Sequence, residues 1–234
     1  SRDASRARAL ELDDPRLTWV WQRGAGPSSA RNRGLALARA EGFLSFLDSD
    51  DRWEPTFLER SLEALAHAPP EVGLAYCDSE LLVDGRRERI ALEGLSFPAL
   101  LQSSGLLLTG SYVVRRAALA AAGPFDEGLQ RGEDHAWLLQ VAARYELVRV
   151  PEVLHRVRRR ADGQLLASAP DLGALEQARR AALEAWSSRR PAAWAGALGA
   201  ASGPSPLGSG PGSSGPVWQE AGAQEAGAQE AGAQ

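Results

Sequence analysis

The run Phe43-Leu44-Ser45-Phe46-Leu47 is apolar and strand-like, and Asp48-Ser49-Asp50-Asp51 follows it at once. Together they describe a buried parallel strand that delivers hard oxygen ligands to its carboxyl end, where open α/β sheets bind their ligands. Carboxylates this close repel one another unless a cation or a donor-rich ligand neutralises them. The expected occupant is Mg2+ or Mn2+ serving a phosphate-bearing substrate. With 12 aspartates in 234 residues, a D-x-D-D match arises by chance about 0.03 times. A solvated acidic turn is the plainer alternative. A helix-loop-helix calcium loop does not fit: Asp48, Asp50 and Glu59 fall at its carboxylate positions, but Trp53 stands where that loop needs Gly and Arg52 where it needs a ligand.

Working outward, residues 4–12 carry a helical alternation of Arg with Ala and Leu, ended before Pro15. Leu17-Thr18-Trp19-Val20-Trp21 is β-branched and aromatic, which predicts a strand. Gly24-Ala25-Gly26-Pro27 reads as a loop, with Ser28 or Ser29 capping a helix to Ala40. Strand, helix and strand within thirty residues predict a right-handed β-α-β unit. Beyond the aspartates, a helix over 56–67 should bury Phe57, Leu58, Leu62 and Leu65. Strands are expected at 72–77, 86–92 (after an Asp84-Gly85 hairpin turn), 112–114, 145–150 and 153–157. Helices are expected at 116–122, 133–144 and, as an exposed helix, 171–187. Residues 199–216 have a Gly/Ser/Pro linker composition, and Glu-Ala-Gly-Ala-Gln repeats three times over 220–234; both predict disorder. The domain expectation is a catalytic domain over 1–165, a helical extension over 166–198 and a disordered tail over 199–234.

The composition, 44% hydrophobic and 24% charged, is that of a globular chain, and a net charge of −4 argues against a nucleic-acid partner. All 26 basic residues are Arg, so no mechanism can use a catalytic lysine. The single Cys77 cannot close an intrachain disulfide. No apolar run is long enough for a membrane span and no signal-peptide pattern is present, so a cytoplasmic location is expected, with peripheral membrane contact still open.

A second acidic group, Glu133-Asp134, opens the helix that carries Trp137. Capping of the helix dipole explains it simply. The sharper reading is a general base, since an ordinary Asp is ionised at neutral pH and can accept a hydroxyl proton. A metal cluster and a base together suit displacement at a phosphorylated substrate. His135 and His155 read first as structural residues. The run Arg156, Arg158, Arg159, Arg160 reads first as a solvated face, although arginines also neutralise a leaving diphosphate.

Four segments now stand in order: Gly26-Pro27-Ser28-Ser29-Ala30-Arg31-Asn32-Arg33-Gly34, Phe46-Leu47-Asp48-Ser49-Asp50-Asp51-Arg52-Trp53-Glu54-Pro55, Gly123-Pro124-Phe125-Asp126-Glu127 and Glu133-Asp134. Over about residues 1–160 the chain resembles family 2 glycosyltransferases of the GT-A fold. The resemblance implies an α/β, Rossmann-like, mixed and mainly parallel sheet flanked by helices. It also implies an inverting, hexosyltransferase-type transfer from a nucleotide-diphosphate sugar to an acceptor hydroxyl on a glycan, lipid or cell-surface polysaccharide precursor. By the same resemblance Asp50 would bind the metal, Asp48 would face the metal or the ribose, and Asp51 would support the cluster as a third candidate ligand. Asp134, beside Glu133, would deprotonate the acceptor, and Arg31 would lie near the nucleotide.

The chain also departs from the family. By the resemblance, Ser1-Arg2-Asp3 is similar to the tail of an acidic loop, so the family's first strand and helix would be expected before Ser1. His155-Arg156-Val157-Arg158 replaces Tyr-Arg-x-His, which puts a late histidine metal contact in doubt, and Gln140 stands where Arg is common. The Gln-x-x-Arg-Trp signature of processive synthases is absent, which favours single-sugar transfer. A nucleotidyltransferase would want a Gly-rich phosphate loop and a lysine, and neither is here. A catalytically incomplete fragment acting as a binding module is the alternative from another class.

Overall fold

Residue 78 of the chain is an aspartate with no exposed side-chain surface, in the middle of the strand around which the sheet is built. The computed structural model describes residues 5–39, 41–83, 86–102, 107–129, 131–158 and 172–189. These fall in the unit Ser1–Pro191; the other unit, Ala192–Gln234, lies outside the described residues. So do Ser1-Arg2-Asp3, the Asp84-Gly85 turn, Arg159, Arg160, the 165/166 boundary, the linker and the repeats.

In chain order the elements are α1 (Ser5–Leu10), α2 (Gly26–Leu37), β1 (Phe43–Ser45), β2 (Asp51–Trp53), α3 (Phe57–His67), β3 (Val72–Val83) and β4 (Arg86–Ile90). There follow α4 (Phe97–Gln102), a 3-10 turn (Thr109–Ser111), β5 (Tyr112–Arg115), α5 (Arg116–Ala122), α6 (Glu133–Ala142), β6 (Glu146–Arg158) and α7 (Leu172–Arg189). The six strands form one mixed sheet in the order β1-β5-β3-β6-β2, with β4 paired to β3. β3 and β6 are parallel neighbours, while β5 runs antiparallel to both β1 and β3. Hence β1, β3 and β6 all point the same way, and their carboxyl ends meet one edge of the sheet.

The α/β class and mixed sheet agree with the sequence. β3 is buried continuously over 72–79, as befits a strand covered on both faces. Asp78 tolerates that burial because Arg149 donates to both its carboxylate oxygens at 3.0 Å and Arg89 donates at 2.5 Å. Cys77 is buried too, and burial pushes its thiol up to about 12, leaving no nucleophile there.

Other expectations need correction. Residues 17–21 form no strand, and Trp21 is 76% exposed. β-propensity becomes a strand only where a ladder partner exists, and among the described residues none pairs with this segment or with the outer edge of β1. The β-α-β unit is therefore not formed. The following helix starts at Gly26, with Pro27 in its first turn, and neither Ser28 nor Ser29 caps it. In α3 the buried positions are Phe57, Ser61 and Leu65, while Leu58 and Leu62 face outward. The two late strands are one, β6: Val150 pairs with Cys77 and Val153 with Asp78, so Pro151 and Glu152 bulge out without ending the strand.

The larger core packs α6 against the sheet. Phe125 and Trp137 stack at 4.8 Å, Tyr112 stacks on Trp137 at 5.9 Å, and Phe46 meets Phe125 edge-on at 5.3 Å. α7, expected to be exposed, turns Leu175, Ala182 and Trp186 inward, and Trp186 stacks on Phe97 at 5.2 Å. Gln140 donates to the Ala178 carbonyl, so it faces α7.

Candidate functional site

Arg31 lies on α2, and its side chain is only 10% exposed. One arm of its guanidinium donates to Glu133 Oε1 at 2.9 Å and the other to Asp48 Oδ1 at 3.3 Å. Its planar fork spans two carboxylates that stand 85 residues apart in the chain (133 minus 48). The guanidinium carbon lies 5.4 Å from the centre of the Phe125 ring, an additional cation–π restraint. Burial opposes the charge on Arg31, yet Asp48 and Glu133 outweigh it and hold the guanidinium pKa above its usual range.

Next to Arg31, Asn32 fastens α2 to the 123–128 loop. Its amide nitrogen donates to the Phe125 carbonyl and to Glu127, each at 2.9 Å, and its oxygen accepts from the Phe125 N–H at 2.8 Å. That loop leaves α5 at Gly123, whose φ of 80° is a conformation that favours glycine. The sequence offered no signal for this clamp beyond the adjacency of Asn32 to Arg31.

Asp134 is half-buried at the start of α6, and its Oδ1 accepts from the His135 N–H at 2.7 Å. Burial raises its pKa, the nearby Asp48 adds to the rise, and the Arg31 guanidinium works against it. The Tyr112 hydroxyl is surrounded by the same groups, with burial keeping it protonated above all else. Arg31, Asp48, Glu133, Asp134 and Tyr112 thus act on one another electrostatically at a single centre.

The three aspartates after β1 have separate surroundings. Asp48 is half-exposed and leans on Arg31. Asp50 is exposed and, among the described residues, has no hydrogen-bond partner. Asp51 is turned inward, with its Oδ2 3.0 Å from His155 Nε2. Among the described residues no group of three or more His, Cys, Asp or Glu converges to form a protein cage for a metal. Asp48 and Asp50 still fit a hard divalent ion of the Mg2+ type, which takes one or two carboxylates and completes its shell with water and phosphate oxygens. His155 is fully buried, so it is not presented to such an ion. Arg156 pairs with Glu54 and with Glu80, which accounts for one member of the late arginine run.

A separate open cleft of about 490 Å³ is lined by Trp21, Arg23, Asn32, Arg33 and Glu127 among others. It shares Asn32 and Glu127 with the clamp between α2 and the 123–128 loop, and its lining includes none of Asp48, Glu133 and Asp134.

The family model for glycosyl transferase family 2 matches residues 1–108. No curated protein matches by sequence. Among solved structures, S. aureus TarS 1–349 in complex with UDP-GlcNAc is similar at 15% identity and a TM-score of 0.62, over 79% of this chain and 54% of that one. The same TarS segment with UDP gives 14% identity and a TM-score of 0.56, over 78% and 59% of the two chains. The mannosyltransferase PcManGT from Pyrobaculum calidifontis, in complex with GDP-Man and Mn2+, gives 17% and 0.50, over 86% and 68%. At these identities the likeness is one of fold, and that fold is the GT-A-like mixed sheet. The chain spans between half and three-fifths of the TarS structures just described.

Proposed function

We propose that the chain, whose residues 1–108 match the family model for glycosyl transferase family 2, transfers a single sugar from a nucleoside-diphosphate donor to an acceptor hydroxyl. The transfer inverts the anomeric carbon and uses a divalent metal. One observation supports this reading above the others: Arg31 joins the acidic turn at Asp48 to the start of α6 at Glu133, beside Asp134. On this reading the donor-binding carboxylates and the candidate base would serve one site.

The bonds balance as follows. The acceptor oxygen forms a bond to the anomeric carbon, and the bond from that carbon to the diphosphate oxygen breaks. The electron pair leaves with the nucleoside diphosphate, and the hydroxyl proton passes to Asp134. Attack from the face opposite the leaving group inverts the centre. Asp50, with Asp48 beside it, would hold Mg2+ or Mn2+; when bound, the ion offsets charge growing on the departing diphosphate. Arg31 keeps Asp48 oriented, and the family resemblance would put the nucleotide near it. The acceptor would be a glycan or a lipid-linked sugar, approached from solvent or from a membrane surface. Among the described residues no helix is long and apolar enough to cross a membrane.

Asp134→Asn tests the assignment. Transfer should fall by at least about 10²-fold while donor binding with Mn2+ stays within about threefold, because only proton acceptance is removed. Full turnover in this variant would remove Asp134 from the role.

A further inference from the structure

We propose that Asp51 does not bind the cation but anchors the turn that presents Asp48 and Asp50 to it, and that His155 is the positioning residue that holds the anchor. This rests on the donor-site reading above.

The turn itself is short and closed: the Asp51 N–H donates to the Asp48 carbonyl at 3.0 Å. Orienting Asp51 therefore orients the two residues inside the turn and the carboxylate at its start. Asp51 is fixed from within. Its side chain is 9% exposed, and its Oδ2 lies 3.0 Å from Nε2 of His155, which has no exposed surface. On the other side of the ring, Nδ1 lies 3.0 Å from the hydroxyl of Ser79 on the central strand β3. One neutral tautomer satisfies both contacts: Nε2–H donates to Asp51, and Nδ1 accepts the Ser79 hydroxyl proton.

The surroundings hold the ring in that orientation. β2 pairs with β6 so that Trp53 stands opposite His155. The Trp53 indole N–H donates to the Gly110 carbonyl at 2.7 Å. A Cβ on Gly110 would lie 2.3 Å from His155 Nε2, so only glycine leaves room for the imidazole there. A chain of contacts thus runs from the central strand to the rim: Ser79, His155, Asp51, then the turn. Asp51 commits its Oδ2 to His155 and its side chain is only 9% exposed, whereas Asp50 is exposed to solvent.

The test measures Mn2+ binding in the presence of UDP, by electron paramagnetic resonance of the free ion and by calorimetry, on folded protein. Asp51→Asn keeps an oxygen that accepts from His155 Nε2–H, so its Mn2+ affinity should stay within about threefold of the parent. Asp51→Ala and His155→Leu lose the anchor and should each weaken binding by about tenfold or more, with His155→Gln recovering most of it. Loss in Asp51→Asn equal to that in Asp51→Ala would show that the charge itself binds the ion and would overturn the proposal. So would unchanged affinity in Asp51→Ala, which would leave His155 a merely structural residue. If His155→Leu does not fold, the two Asp51 variants at the rim decide the matter. Asp50→Asn serves as the control. Undiminished Mn2+·UDP binding there would sink the donor-site reading itself, whereas loss there combined with loss in Asp51→Asn sinks only this inference.

Discussion

Arg31 is the residue on which the centre depends. It pairs with Glu133 and Asp48 at once, and it is nearly buried while doing so. Removing one partner from a buried ion pair leaves an uncompensated charge, so Arg31→Ala should cost on the order of 3 kcal/mol in urea unfolding. Arg31→Lys should not restore donor binding, because an ammonium cannot span two carboxylates as a planar fork does. The same guanidinium tunes Asp134. Burial raises the Asp134 pKa and Arg31 restrains the rise. A base must be ionised to work, so kcat/KM should fall with decreasing pH through a point above the usual carboxylate range. In a folded Arg31 variant that limb should move to still higher pH; a limb that stayed put or moved down would contradict the assignment.

His135 carries a separate pH dependence. Both of its ring nitrogens are buried without a hydrogen-bond partner, and burial, with Arg179 nearby, lowers its pKa from 6.5 to about 4. Between those values the unfolded chain binds the proton and the folded chain does not. Stability is therefore full above pH 6.5 and is lost as pH falls toward 4, by about 3 kcal/mol at most. Urea melts at pH 7 and pH 4.5 should show the loss in the parent and a clear reduction of it in His135→Leu.

At the level of elements, α6 and the 123–128 loop are positioned by aromatic packing rather than by caps. Phe125 touches Phe46 and Trp137 and carries the Arg31 guanidinium over its ring. Phe125→Ala should cost about 3–5 kcal/mol in thermal or urea unfolding and should weaken donor binding in whatever remains folded. A loss of stability below about 1 kcal/mol would mean that the site does not lean on this stack. Elements with strong periodicity were readable from the residues alone: α3, α6 and α7 stand where the apolar spacing put them. The errors have a common source, since a strand is a pairing and pairing is not local. Trp19, Val20 and Trp21 have strand composition but no partner among the described residues. Pro151 looked like a break, yet the partner strand absorbs it with a change of register. Leu58 and Leu62 share the α3 sequence pattern with Leu65 but sit over solvent.

For the molecule as a whole, the sheet decides what meets. β1, β3 and β6 point one way, so the acidic turn after β1 and the carboxyl ends of the other two share an edge. The acidic turn and Glu133-Asp134 were legible as motifs, because each joins a characteristic residue set to a local element. Their meeting through Arg31 was not legible, nor was the Asn32 clamp or the Ser79–His155–Asp51 chain. Apart from Arg31 to Asp48, which are 17 residues apart, those contacts join residues 76 to 104 apart, and only the folded sheet brings them together. Glu133 illustrates the limit: its local sequence marks it as an acidic residue at a helix start and does not announce that its carboxylate accepts from Arg31.

The most direct measurement is calorimetric titration of the chain with UDP and with GDP, each with Mn2+ and again with EDTA. A donor site of the kind described should bind at least one of the two diphosphates with Mn2+ present and release it when the ion is chelated. No binding of either, or binding indifferent to EDTA, would contradict a metal-assisted sugar-nucleotide site at Asp48 and Asp50.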